Sequence, residues 1–185
     1  MPYSIRVQAN DDADGAKCRA LAESVIAEFG DKLSGANVLC FLDDQEFDGL
    51  RRHVGVANRG MFTPIERTFD TWDSPWPQYV RDIIFVDDPA SLNVRKQQLF
   101  DELVYLHGST CETEVGLIMT LAHELQHVVQ HTTDWRLWAT NTAPVRTFPR
   151  RIFQSAGLKM CDIPIELEAR IVSKASPQNS ANPKM

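Results

Sequence analysis

The chain has 185 residues, a formal net charge of −6 and an isoelectric point near 5.3. A hydrophobic fraction of 43% and a charged fraction of 24% are those of an ordinary globular domain with length for a single core. The acidic balance argues against a nucleic-acid partner gripped by a basic surface, and no run approaches the roughly 18 apolar residues of a membrane span.

The opening Met1-Pro2-Tyr3-Ser4-Ile5-Arg6 lacks the basic-then-apolar pattern of a signal peptide. Cys18, Cys40, Cys111 and Cys161 are scattered without C-x-x-C spacing and read as reduced thiols. Both points lead to the expectation of a cytoplasmic protein with no membrane partner.

Ile5 to Gln8 alternates as a short strand. Residues 13–29 carry Ala16, Ala20, Leu21, Val25, Ile26 and Phe29 at helical spacing and stop at Gly30. Asn37 to Leu42 reads as a buried strand, and Asp43 to Arg52 as a short helix. Residues 53–78, with Gly55, Gly60, Pro64, Pro75 and Pro77, read as an irregular connection with room for short strands. The run from Asp82 to Asp88 reads as a strand bounded by charges. Residues 91–106 read as a helix, and a second helix follows.

That second helix contains His123-Glu124-Leu125-Gln126-His127, the pattern H-E-x-x-H. Val115, Ile118, Leu121, Ala122, Leu125, Val128 and Val129 recur at spacings of three and four, as in a helix with one apolar side. Ser109 and Glu112 are spaced as a capping box at its start. In a helix, side chains four apart lie one turn apart on one face, so His123 and His127 can converge on one tetrahedral zinc ion. Glu124 projects about 100° around the axis from His123. That direction suits a base for water at the metal better than a ligand.

Two histidines do not complete a catalytic zinc site; a third protein ligand is required. Asp162 to Val172 reads as another helix, with Asp162 as cap and Pro164 tolerated in the first turn. It carries Glu166 and Glu168. These lie about 200° apart around a helix, so only one is expected to face the motif helix. His131 competes for the third place. It stands about 12 Å along the axis from His123, too far for all three histidines to share one ion on a straight helix. It is read as a helix-end or rim residue.

Residues 132–161 are the least patterned. Trp135 and Trp138 read as packing, with an aromatic wall to a cleft as the functional alternative. Arg146, Arg150 and Arg151 read as a solvated face, with a grip on an acidic group as the alternative. Cys161, five residues before Glu166, reads as a buried thiol. Residues 176–185 are polar, terminal and Pro-containing and read as a disordered tail, leaving 1–175 as one domain.

H-E-x-x-H followed by Glu166-Leu167-Glu168-Ala169 on a later helix resembles the gluzincin branch of zincin metallopeptidases. The E-x-E-A pattern is similar to that of small bacterial and phage peptidases of the ImmA/IrrE type. About fifteen residues carry the resemblance. It implies an α+β, zincin-like fold, in which a small mixed sheet packs against an active-site helix and a second helix bearing the Glu ligand. It assigns the third zinc ligand to Glu166. The chain departs from the pattern at Arg170, where many gluzincins have an Asp that orients a ligating histidine.

The expected function is that of a zinc-dependent peptidase acting on a peptide or protein substrate. His123, His127 and Glu166 would bind Zn²⁺, and Glu124 would serve as general base. The alternatives are a non-catalytic zinc-binding regulatory or interaction domain, and a globular module with no metal. Zincins add a group that stabilises the oxyanion, for which Tyr105, His107 and His53 are all open. They also often bind substrate along an edge strand near the motif helix, a role the strand from 82 to 88 could take unless it is central.

Overall fold

The computed structural model describes residues 2–9, 11–43, 60–65, 78–87, 96–107, 110, 112–147 and 164–175. Strands Ser4–Gln8 (β1) and Asn37–Asp43 (β2) run parallel, with Ile5 opposite Val38. Helix Ala13–Phe29 (α1) connects them. Asp12 starts this helix by accepting the Gly15 N–H at 2.7 Å. Gly30 ends it at φ 47°, a left-handed turn that favours glycine.

Strand Gly60–Pro64 (β3) comes next, then helix Gln78–Ile84 (α2) and strand Phe85–Asp87 (β4). Lys96–Gln98 (β5) and Glu102–His107 (β6) follow. Three helices complete the described chain: Glu114–Thr133 (α3), Trp135–Thr147 (α4) and Pro164–Ala175 (α5). The main sheet has the order β1-β2-β6-β3, with β3 antiparallel at one edge and the other three strands parallel. β4 and β5 form a separate antiparallel pair. The architecture is α+β around a small mixed sheet.

Side-chain alternation divides the core in two. Val38, Cys40 and Leu42 of β2, with Val104 and Leu106 of β6 and Phe62 of β3, face one side. There they meet Val25, Ile26 and Phe29 of α1 and Leu117, Leu121, Leu125 and Val128 of α3. Leu39, Phe41, Leu103 and Tyr105 face the other side and meet Val80 and Ile84 of α2 and Phe85 of β4. A strand covered on both faces has no polar side, so β2 and β6 read as unbroken apolar runs.

Several sequence expectations change. The stretch 82–88 is not one strand: Ile83 and Ile84 close α2, and among its described residues only Phe85–Asp87 is extended. Ile84 and Phe85 are buried in the same cluster, and an apolar run destined for one core looks alike in either conformation. Residues 91–106 are not a helix where described; they supply β5 and the central strand β6. The motif helix is capped by Thr113, whose hydroxyl accepts the Gly116 N–H at 3.0 Å, not by the Ser109–Glu112 box. Asp134 both ends α3, through its N–H to the Gln130 carbonyl, and starts α4, accepting the Arg136 and Leu137 N–H groups. The expected helix from Asp43 to Arg52 falls, after Asp43, outside the described residues. So do Asp162, Cys161, Arg150, Arg151 and the tail 176–185.

Gly60 is required where β3 crosses α3. A Cβ there would stand 2.7 Å from Thr120 Cγ2, 2.9 Å from Glu124 Oε1 and 2.9 Å from Leu106 Cδ2. Gly60→Ala is therefore expected to destabilise the protein by about 1–3 kcal/mol, the usual penalty of overpacking. Urea denaturation of the chelator-treated protein measures this. A midpoint equal to wild type would show that the strand is not held this close.

Candidate metal centre

Positions on α3 sort by angle, at about 100° per residue. Leu117, Leu121, Leu125 and Val128 fall together and face the sheet. Gln126, Gln130, His123 and His127 fall on the side that meets α5. Thr120, Glu124 and His131 fall between, towards β3.

α5 presents a buried stripe of Ile165, Ala169 and Ser173, spaced four apart, to the rest of the protein. Pro164 is its first residue, where a missing N–H is harmless. Ala169 is fully buried, and its small side chain permits close approach of the two helices. Glu166 lies on one flank of the stripe and Glu168 on the other. Both therefore reach α3, contrary to the expectation that only one could.

Glu166 goes to the histidines. Its Oε2 lies 3.3 Å from His123 Nε2, and its Oε1 lies 3.5 Å from His127 Nε2. The two Nε2 atoms are 3.2 Å apart. One ligand atom from each of the three residues lies within 4.8 Å of every other. Two imidazole nitrogens and a carboxylate, converging from a helix turn and a neighbouring helix, are a donor set that suits zinc. Glu168 instead accepts from Gln126 Nε2 at 3.2 Å and from Gln130 Nε2 at 2.8 Å.

Glu124 is buried, at 6% exposure, with its carboxylate bound by the backbone of Phe62 on β3. Burial pushes its carboxyl above the usual range, against the opposing pull of His127 and His123. Burial opposes charging of His127, but Glu166 and Glu124 outweigh it and raise its pKa. Burial also works against ionisation of Glu166, yet its hydrogen bonds to His123 and His127 bring it down to about 2.

The remaining candidates lie apart. His131 Nδ1 pairs with Glu102 Oε1 at 3.0 Å, and its ring packs at 5.2 Å on Trp138 and 5.7 Å on Phe62. Glu102, only 3% exposed, also takes the Asn37 N–H, so this pair ties α3 to the sheet. Trp138 is buried packing, whereas Trp135 is 59% exposed. Tyr105 is fully buried on the opposite face of the sheet, stacked on Phe41 at 5.6 Å, and alternation places His107 on that same side. His53 is outside the described residues. The strand at the sheet edge beside Glu124 is β3, not the stretch 82–88. Sequence reasoning missed three participants: Gly60, Phe62 and Gln130. Only Gln130, seven residues after His123 and so two turns along the same face, left a readable trace.

Comparison with known protein families, with curated proteins and with solved structures finds no match.

The raised Glu124 pKa makes a stability prediction. The native state binds this proton more tightly than the unfolded chain, so the Glu124 contribution becomes less favourable as pH rises above the ordinary 4.5. Glu124→Gln removes that deficit and keeps an acceptor for Phe62. The variant should be more stable than wild type at neutral pH when metal is chelated. The advantage should shrink as pH falls and vanish below 4.5. Denaturation curves across that range check it; a pH-independent difference would contradict the assignment.

Proposed function

We propose that this chain is a zinc-dependent peptidase of the zincin-like type, in the gluzincin branch. The observation that carries this reading is the convergence of His123, His127 and Glu166 beside a buried carboxylate, Glu124, that stands off their row. A structural zinc site has no use for a buried acid at that position, and burying one unpaired by a cation is costly.

His123 and His127 would hold the ion through Nε2 and Glu166 through its carboxylate. Zinc in such a site acidifies water and polarises a carbonyl as a Lewis acid. Glu124 takes a proton from the attacking water as its oxygen bonds to the peptide carbon. It then returns that proton to the amine nitrogen as the C–N bond breaks. A carboxyl with a raised pKa is suited to both halves of this transfer. The Phe62 backbone bond and the close passage of Gly60 hold Glu124 in one orientation. β3, at the open edge of the described sheet, is the strand along which an extended peptide would pair. The partner in this reading is a peptide or protein substrate.

Metal analysis after loading with zinc and then desalting should find about one zinc per chain. Glu166→Gln should weaken binding well beyond the roughly 10–100-fold expected of a supporting partner such as Glu168. His131→Ala should retain the metal, because Glu102 and not the ion holds that ring. Absence of stoichiometric zinc, or its loss only in His131→Ala, would overturn the assignment.

Activity is checked on a mixed peptide library and a proteome digest, with wild type and Glu124→Gln side by side. Cleavage should be chelator-sensitive. The variant should keep most of its zinc and lose about 10²–10⁴-fold in rate, the contribution of a positioned base. Equal cleavage by both proteins would assign the activity to something other than this site.

A further inference from the structure

His127 must present a bare Nε2 for the site to work. An isolated neutral imidazole does not guarantee that, because either ring nitrogen can carry the proton. The surroundings of His127 decide the matter. Its Nδ1 lies 2.8 Å from Gln130 Oε1. The Gln130 amide nitrogen lies 2.8 Å from Glu168 Oε2 and 3.1 Å from the Ile165 carbonyl oxygen.

Both of those partners only accept hydrogen bonds. Were the amide turned over, its oxygen would face two acceptors at close range, and both would lose the Gln130 donor. The NH₂ therefore points to α5 and the oxygen points to His127. An oxygen there requires a proton on Nδ1, so in the neutral ring the lone pair falls to Nε2, the atom 3.2 Å from His123 Nε2 and 3.5 Å from Glu166 Oε1.

Glu168 is what makes this orientation stable. Its carboxylate gathers amide donors from Gln130 and, at 3.2 Å, from Gln126 one turn earlier on α3. A hydrogen bond to a charged acceptor is roughly twice as strong as a neutral one, so Glu168 outweighs Ile165 in holding the amide. The pattern E-x-E-A thus places two carboxylates on opposite flanks of the stripe Ile165–Ala169–Ser173, one facing the metal position and one behind it.

We propose that Glu168, acting through the side-chain amide of Gln130, is the positioning residue that holds His127 in the tautomer whose Nε2 faces the metal. It would do the work that the resemblance gives to an acidic residue at position 170, where this chain has Arg170. The inference rests on the metal-centre reading, but its core, the tautomer, is measurable without any metal.

The first experiment reads the ¹⁵N signature of His127 by NMR in the chelated wild-type protein, well above the imidazole titration range. The Nδ1–H form should dominate. In Gln130→Leu it should give way to the Nε2–H form or a mixture. A wild-type ring in the Nε2–H form overturns the proposal, whether or not the protein binds zinc.

The second experiment measures zinc affinity by competition with a chromophoric chelator. Gln130→Leu should weaken binding about 10–100-fold, as expected on losing the partner that orients a ligand. The reciprocal exchange Gln130→Glu with Glu168→Gln rebuilds the chain of donors and acceptors in reverse order. Residue 130 still accepts from His127, and residue 168 now donates to it. That double variant should recover affinity to within a few-fold of wild type and restore the Nδ1–H signature. If Gln130→Leu binds zinc as wild type does, the positioning role is wrong. If the double variant binds as weakly as Gln130→Leu while both remain folded, packing and not the hydrogen bond is responsible, and the proposal fails. Wild type with the Nδ1–H form but no zinc affinity would refute the peptidase reading and leave the tautomer control standing.

Discussion

The packing of α3 against the sheet, α1, α4 and α5 is the constraint from which the rest of the structure follows. A helix of this length buried on all sides would need to be apolar throughout. α3 is instead apolar towards the sheet and α1, where Leu117, Leu121, Leu125 and Val128 fill the core. Its other sides carry polar groups that pair with neighbouring elements. Glu166 and Glu168 of α5 answer the side bearing His123, His127, Gln126 and Gln130. The backbone of Phe62 on β3 and the carboxylate of Glu102 on β6 answer Glu124 and His131. Polar groups left unpartnered at this depth would each be worth about 1–3 kcal/mol of lost stability.

This arrangement explains why the sheet is mixed. Helix α1, between β1 and β2, lies against one face, where α3 joins it after β6, and α2, between β2 and β6 in the chain, lies against the other. The antiparallel β3 sits at the edge nearest α3 and can approach it only because Gly60 has no side chain. Close approach brings a backbone hydrogen bond to Glu124 and puts Phe62 against His131 and Trp138. The edge strand thus supports the candidate base and the helix end at once. The short side chain of Ala169 plays the corresponding part on the other side, letting α5 come near enough for two carboxylates to reach α3.

Electrostatically the site is a balance of burial against mutual attraction. Three side chains whose preferred charged states conflict with burial are packed together, and their mutual attractions settle the balance. Glu166 stays ionised because two imidazoles bind it, and Glu124 resists ionisation because it is buried.

The sequence by itself determined the parts of this protein that depend on neighbours along the chain. The three-and-four spacing in 114–133 specified a helix with an apolar side, and the i, i+4 histidines on it specified a shared direction. The E-x-E-A segment behind Pro164 specified a second helix with carboxylates near its start. The alternation at 5–8, the run at 37–42 and the stop at Gly30 were equally local, and the structure has them. Only the tertiary structure decided what depends on burial from both sides. Leu103-Val104-Tyr105-Leu106 is apolar throughout because two cores meet at β6, and a run without period does not say whether it is strand or helix. The same ambiguity blurred the boundary at Ile84–Phe85. The division of labour between Glu166 and Glu168 was likewise beyond local pattern. It arises because a helix with a narrow buried stripe exposes both flanks to its partner, so residues about 200° apart can each touch the same neighbour from opposite sides.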